Sequence, residues 1–155
     1  MVIRTGDLTI ILIRSEDMRI KTCTYPKQSQ KMIDMGIDIW THDMAYRKIC
    51  GTLGEEIEPG YAYTHIGKLF ETREFPAWSL DALMRMMPTI EYDGHEYQAL
   101  CYYRNGKGIV NYETITEVRP LVSMSAEHLV DAAFDMIVWL VEEKYIKTIS
   151  ELNYD

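Results

Sequence analysis

Apolar positions recur at helical spacing through SAEHLVDAAFDMIVWLVEEK, Ser125–Lys144, and predict one helix of about five turns. At about 100° per residue, Leu129, Ala133, Met136, Ile137 and Leu140 form the centre of an apolar face, flanked by Val130 and Val141 on one side and Ala132 and Trp139 on the other. The polar strip is narrow, His128, Asp131, Asp135 and Glu142, so the helix needs cover on more than one side. Ser125 reads as its N-cap and Glu127 suits the positive helix end. A second helix follows from FPAWSLDALMRMMP: Ser79 caps it, Leu80, Leu83, Met84 and Met87 fall at i, i+3, i+4 and i+7, and Pro88 stops it.

Between these helices the period changes from helix to strand. Asp93-Gly94 and Asn105-Gly106 are two-residue hairpin signals, so Thr89–Thr114 reads as a three-stranded antiparallel meander. The turns set Ile90 opposite Tyr97, Tyr92 opposite His95, Ala99 opposite Tyr112, Cys101 opposite Val110 and Tyr97 opposite Thr114 on one face. The other face receives Glu91 with Glu96, Gln98 with Glu113, Leu100 with Asn111 and Tyr102 with Ile109. The expected fold class is α+β, the meander packed against the long C-terminal helix and shorter helices.

The N-terminal half is less patterned. TIILI at Thr9–Ile13 is a β-branched run, and residues 1–24 read as an extension or an edge strand, with Met18 a possible start of the folded unit; 25–155 reads as a single domain. PKQSQKMIDMG predicts a short helix opened by Pro26 and closed by Gly36, burying Met32, Ile33 and Met35. Thr41 with Asp43 predicts another helix through Lys48, and Gly51–Pro76 a long connection rich in glycine.

Composition narrows the class. The net charge is −8, split as +2 over residues 1–50 and −10 over residues 51–155, which opposes binding to nucleic-acid phosphates. No apolar run approaches the roughly 20 residues that cross a bilayer, so a soluble, cytoplasmic protein is expected, without membrane contact. Cys23, Cys50 and Cys101 are odd in number and lack CxxC spacing, which argues against a disulfide framework or a zinc site.

FPAWSLDALMRMMP, a hairpin and then LVDAAFDMIVWLVEEKYI, preceded by TYPKQSQKMIDMGI, resembles small proteins of no established activity that recur in prophages and mobile elements of Bacteroides-like gut bacteria. The likeness spans roughly Tyr25 to Ile146. Where those proteins end the last helix in Asn-Gly, this chain carries Glu143-Lys144, without the glycine a left-handed cap favours. The resemblance implies no catalytic residues.

The chemistry-bearing residues agree. His42, His65, His95 and His128 have no metal-ligand spacing, and the glycine pairs near Cys50 and His65 complete no phosphate loop, so no metal and no cofactor is expected. The leading reading is a non-enzymatic accessory protein of a mobile element that contacts another protein through an acidic surface, with Glu91, Glu96, Leu100, Tyr102 and Ile109 as binding residues. The alternative is a small enzyme whose site joins His42, Asp43, Cys50 and His65 across the 42–68 region, Cys50 being either its nucleophile or a structural thiol.

Overall fold

The computed structural model describes residues 2–5, 8–11, 21–48, 57–61, 75–117 and 119–152. In chain order the elements are β1 (Val2–Thr5), β2 (Leu8–Ile11), α1 (Pro26–Asp34), a 3-10 turn (Ile39–Thr41), β3 (Met44–Lys48), β4 (Ile57–Tyr61) and β5 (Phe75–Ala77). Then come α2 (Leu80–Met86), β6 (Ile90–Tyr92), β7 (His95–Arg104), β8 (Lys107–Glu113), β9 (Val122–Ala126), α3 (Leu129–Glu142) and α4 (Ile149–Leu152). The strands form a β1-β2 pair, a β4-β3-β5 sheet and a β6-β7-β8-β9 sheet, all antiparallel, so the class is α+β.

The predicted turns and registers are present. Asp93, Gly94, Asn105 and Gly106 have φ of 49°, 76°, 53° and 74°, the double positive φ that two-residue hairpin turns need. Every expected cross-strand pair from Ile90–Tyr97 to Tyr102–Ile109 forms except Tyr97–Thr114, because β8 ends at Glu113. The sheet, however, has four strands where the turn signals predict three. Val122-Ser-Met-Ser-Ala alternates apolar and polar residues and pairs with β8, Val122 opposite Tyr112 and Met124 opposite Val110. Ser125 is therefore a strand residue opposite Ile109, and α3 begins only at Leu129, behind an extended His128. A strand here occupies the backbone groups along β8's second edge, which a helix starting at Ser125 would leave open.

Two further expectations are corrected. Thr41–Lys48 is no helix: the Thr41 hydroxyl donates to the Asp38 carbonyl at 2.6 Å within the 3-10 turn, and β3 follows, pairing with β4 on one edge and β5 on the other. Pairing on both edges, with Met44, Ala45 and Tyr46 buried, outweighs a weak local helix preference. The Gly51–Pro76 connection contains β4 and the start of β5, and the rest of it lies outside the described residues. So do Leu12, Ile13 and Met18, whereas Thr9, Ile10 and Ile11 are in β2.

α3 packs on β7, β8 and β9, α2 packs on α3, and α1 lies against β5. Leu83, Ile90, Val110, Tyr112, Met136, Ile137 and Leu140 are fully buried between these layers, each large side chain stabilising by about 1.5–3 kcal/mol. Phe134, which the helical projection leaves off the apolar face, is also buried. Trp78 is fully buried just before α2; its indole N–H donates to Thr41 Oγ1 at 2.9 Å, and Thr24 N donates to its carbonyl at 2.9 Å. Lys21 reaches α3 through an ion pair with Asp131 and donates to Gln28 Oε1 at 2.6 Å, which ties the segment before α1 to the long helix.

Both long helices end in the same motif with different residues. After α1, Ile37 N bonds to Met32 O and Gly36 N to Ile33 O, with Gly36 at φ 81°. After α3, Tyr145 N bonds to Leu140 O and Lys144 N to Val141 O, with Lys144 at φ 62°. Glu143-Lys144 thus forms the left-handed cap without a glycine, at the steric cost a side chain carries there.

Candidate functional site

The parity of β7 and β8 divides their side chains between two faces. Tyr97, Val110 and Tyr112 point into the core under α3; Glu96, Gln98, Leu100 and Tyr102 of β7 stand on the outer face beside Glu91 of β6 and Ile109, Asn111 and Glu113 of β8. The five residues Glu91, Glu96, Leu100, Tyr102 and Ile109 therefore share one surface. Leu100 is 48% exposed and Tyr102 37%, large values for apolar bodies on a sheet face, while Ile109 is half-buried between them and β9.

A polar network holds the middle of this face. Asn111, 5% exposed, donates to Tyr102 Oη at 2.9 Å and Glu113 Oε1 at 2.7 Å, and accepts from Ser123 Oγ at 2.6 Å. Its amide is satisfied on both ends, and its bond to the Tyr102 hydroxyl tethers that side chain. Ser123 comes from β9, so the bond that satisfies the Asn111 carbonyl oxygen exists only because the fourth strand is there. Asn111 and Ser123 escape a reading of the sequence as site residues; the alternation in Val122–Ala126 is the signal that could have located them.

Charge along the face is polarised. Glu91 sits directly opposite Glu96, with Glu113 paired to Gln98, at one end; Arg104 and Lys107 pair at the hairpin tip. Like charges directly opposite disfavour each other, so neither end is arranged for stability. The face reads as carboxylates, then Leu100, Tyr102 and Ile109, then two cations.

The alternative residues do not assemble as a site within the described part of the chain. Asp43 accepts from Ser79 N at 2.9 Å and from the Ser79 hydroxyl, with Arg85 at 3.9 Å, so its carboxylate braces the start of α2. Ser79 Oγ in turn accepts from Ala82 N at 3.2 Å. His42 contacts the Ile39 carbonyl through Nδ1 and sets its ring edgewise to Trp78 at 6.2 Å. Cys50 and His65 lie outside the described residues. Burial pushes the Cys23 thiol up, against a contact at 3.7 Å with the Tyr46 hydroxyl, while Cys101 is exposed on β7.

Among the described residues no three His, Cys, Asp or Glu side chains gather as a metal-binding set, and no helix is long and apolar enough to cross a membrane. No protein-family model, curated protein or solved structure matches this chain.

Proposed function

We propose that this protein is a non-enzymatic accessory protein that binds another protein through the outer face of its four-stranded sheet, in the mobile-element setting that the sequence resemblance suggests. The observation that carries this reading is the placement of exposed Leu100 and Tyr102 beside the carboxylates Glu91, Glu96 and Glu113, with Tyr102 tethered by Asn111. An aromatic ring with its polar end already bonded supplies contact area at little entropic cost, which is what interface anchors do. The flanking carboxylates select a partner with a basic rim and an apolar centre. A chain with −10 over residues 51–155 does not favour a nucleic acid as that partner.

The test compares the parent with a Glu91→Thr, Glu96→Thr double variant and a Leu100→Ser variant, copurified from the native host and read by mass spectrometry. Both should melt close to the parent, since exposed charges contribute under about 1 kcal/mol and Leu100 stands on the exposed side of the sheet, where substitutions usually change stability little. Loss of one and the same protein from both variants supports the reading. An unchanged captured set refutes it.

A further inference from the structure

β7 runs from His95 to Arg104, but β6 covers only its first residues, Ile90 pairing with Tyr97, Glu91 with Glu96 and Tyr92 with His95. From Gln98 to Arg104 it pairs with β8 alone, and among the described residues no main-chain hydrogen bond reaches its other edge. The turn at Asn105-Gly106 decides which groups face that edge. In a two-residue hairpin the flanking pair, here Arg104 and Lys107, exchanges hydrogen bonds, and bonded and non-bonded pairs then alternate. Tyr102 and Leu100 are thus bonded to β8, whereas the N–H and C=O of Ala99, Cys101 and Tyr103 point outward. The Asp93-Gly94 hairpin gives the same parity, since it bonds His95 and Tyr97 to β6.

Exposed edges of this kind are usually blunted by proline, lysine or a bulge. Gln98–Arg104, QALCYYR, has one charge at its end, no proline and an unbroken register with β8. Leu100, Tyr102 and Tyr103, the last 58% exposed, flank it on both faces.

We propose that this edge pairs antiparallel with the same edge of a second copy of the chain, about a twofold axis beside Tyr102. Two limits choose that register. β6 begins at Ile90 opposite Tyr97 and the chain enters it through Thr89, so the proposed pairing leaves Gln98 to that entering chain and starts at Ala99; the incoming strand itself ends at its own Asn105-Gly106 turn. The longest symmetric pairing that respects both sets Tyr102 opposite Tyr102, Cys101 opposite Tyr103 and Leu100 opposite Arg104. Cys101 and Tyr103 are the residues whose backbone groups point outward, so each such pair closes as a bonded pair. On the outer face the two Tyr102 rings meet, and the Arg104 stem covers Leu100. The antiparallel arrangement also carries the basic tip of each copy toward the acidic end of the other, a complementarity that favours a second copy over an arbitrary strand. The contact is narrow, so the dimer is reversible. It leaves both outer faces on one continuous sheet and does not depend on whether they take a foreign protein.

Sedimentation velocity of the full chain, from low to high micromolar concentration, should show the average mass rising from 18.1 kDa toward twice that value. Cys101→Pro deletes an outward N–H without removing a bond to β8, a position where an edge strand tolerates proline, and should be monomeric with the parent's circular dichroism. As a second measurement, Tyr102→Cys in a Cys101→Ser background places two thiols on the axis. Their Cα atoms would be about 4.5 Å apart, within the roughly 4.4–6.8 Å a disulfide spans. Mild oxidation should give a covalent dimer linked at position 102 by peptide mapping. A parent that stays monomeric throughout overturns the proposal and leaves the edge to a foreign strand. A folded Cys101→Pro that dimerises like the parent, or a dimer that does not link at position 102, also overturns it.

Discussion

Gly108 lies on β8 between Tyr103 of β7 and Ala126 of β9, buried where α3 begins. A Cβ added there would meet Leu129 N at 2.5 Å and His128 C and Leu129 Cα at 2.7 Å. Carbon contacts relax near 3.5 Å, so the start of α3 would have to retreat by about 1 Å. It cannot do so freely, because Val130, Ala133 and Ile137 behind it are buried with at most 2% exposure. Overpacking costs about 1–3 kcal/mol, and the upper part of that range applies because the obstacle is backbone and not a mobile side-chain end. Removing a strand glycine returns about 0.5–1 kcal/mol, so Gly108→Ala should lose about 2 kcal/mol net. At about 2–4 °C per kcal/mol for a chain of this size, Tm should fall about 4–8 °C, followed by circular dichroism with urea unfolding alongside. A comparison with Gly106 separates the cause. There nothing lies within 4 Å but φ is 74°, so Asn should be better tolerated than Ala; at Gly108, where space is limiting, Asn should be worse than Ala. A Gly108→Ala variant within about 0.5 kcal/mol of the parent would refute the argument.

Two other outcomes are expected. Lys144→Gly should raise stability by about 1 kcal/mol in urea unfolding, because Lys144 holds φ 62° at the end of α3 and glycine removes the Cβ penalty; an unchanged midpoint would mean that the cap is not strained. Partial burial, with Asp131 nearby, pushes the Asp135 carboxyl up from its ordinary value of 3.8, so the native state holds that proton more tightly than the unfolded chain. Ionisation then lowers native stability as pH rises past the ordinary carboxylate range. Asp135→Asn should melt slightly above the parent at neutral pH and level with it near pH 3, and an advantage confined to acid would contradict the assignment.

What the sequence determined by itself is the part of the fold written in local chemistry. Asp93-Gly94 and Asn105-Gly106 demand positive φ, and once those turns are placed the two-residue period assigns every side chain of β6, β7 and β8 to a face. That is why Glu91, Glu96, Leu100, Tyr102 and Ile109 group together on the strength of the sequence alone. Ser79, the Leu80–Met86 stripe and the apolar band of α3 are legible for the same reason, since capping and periodicity act within a few residues. Tertiary structure decided the rest. Val122–Ala126 is too short to outweigh a plausible cap at Ser125, and it becomes a strand because β8 offers an open edge. Met44–Lys48 becomes a strand because β4 and β5 close on it from both sides. Asp43 meets Ser79 across 36 residues, so its structural role is invisible to spacing. Among the described residues the edge of β7 is unpaired beyond Tyr97 because β6 begins at Ile90, and the Asn111 that bonds Tyr102 is itself bonded by Ser123 of β9. Strand identity and polar satisfaction depend on partners distant in the chain, whereas turns and caps carry their partners with them.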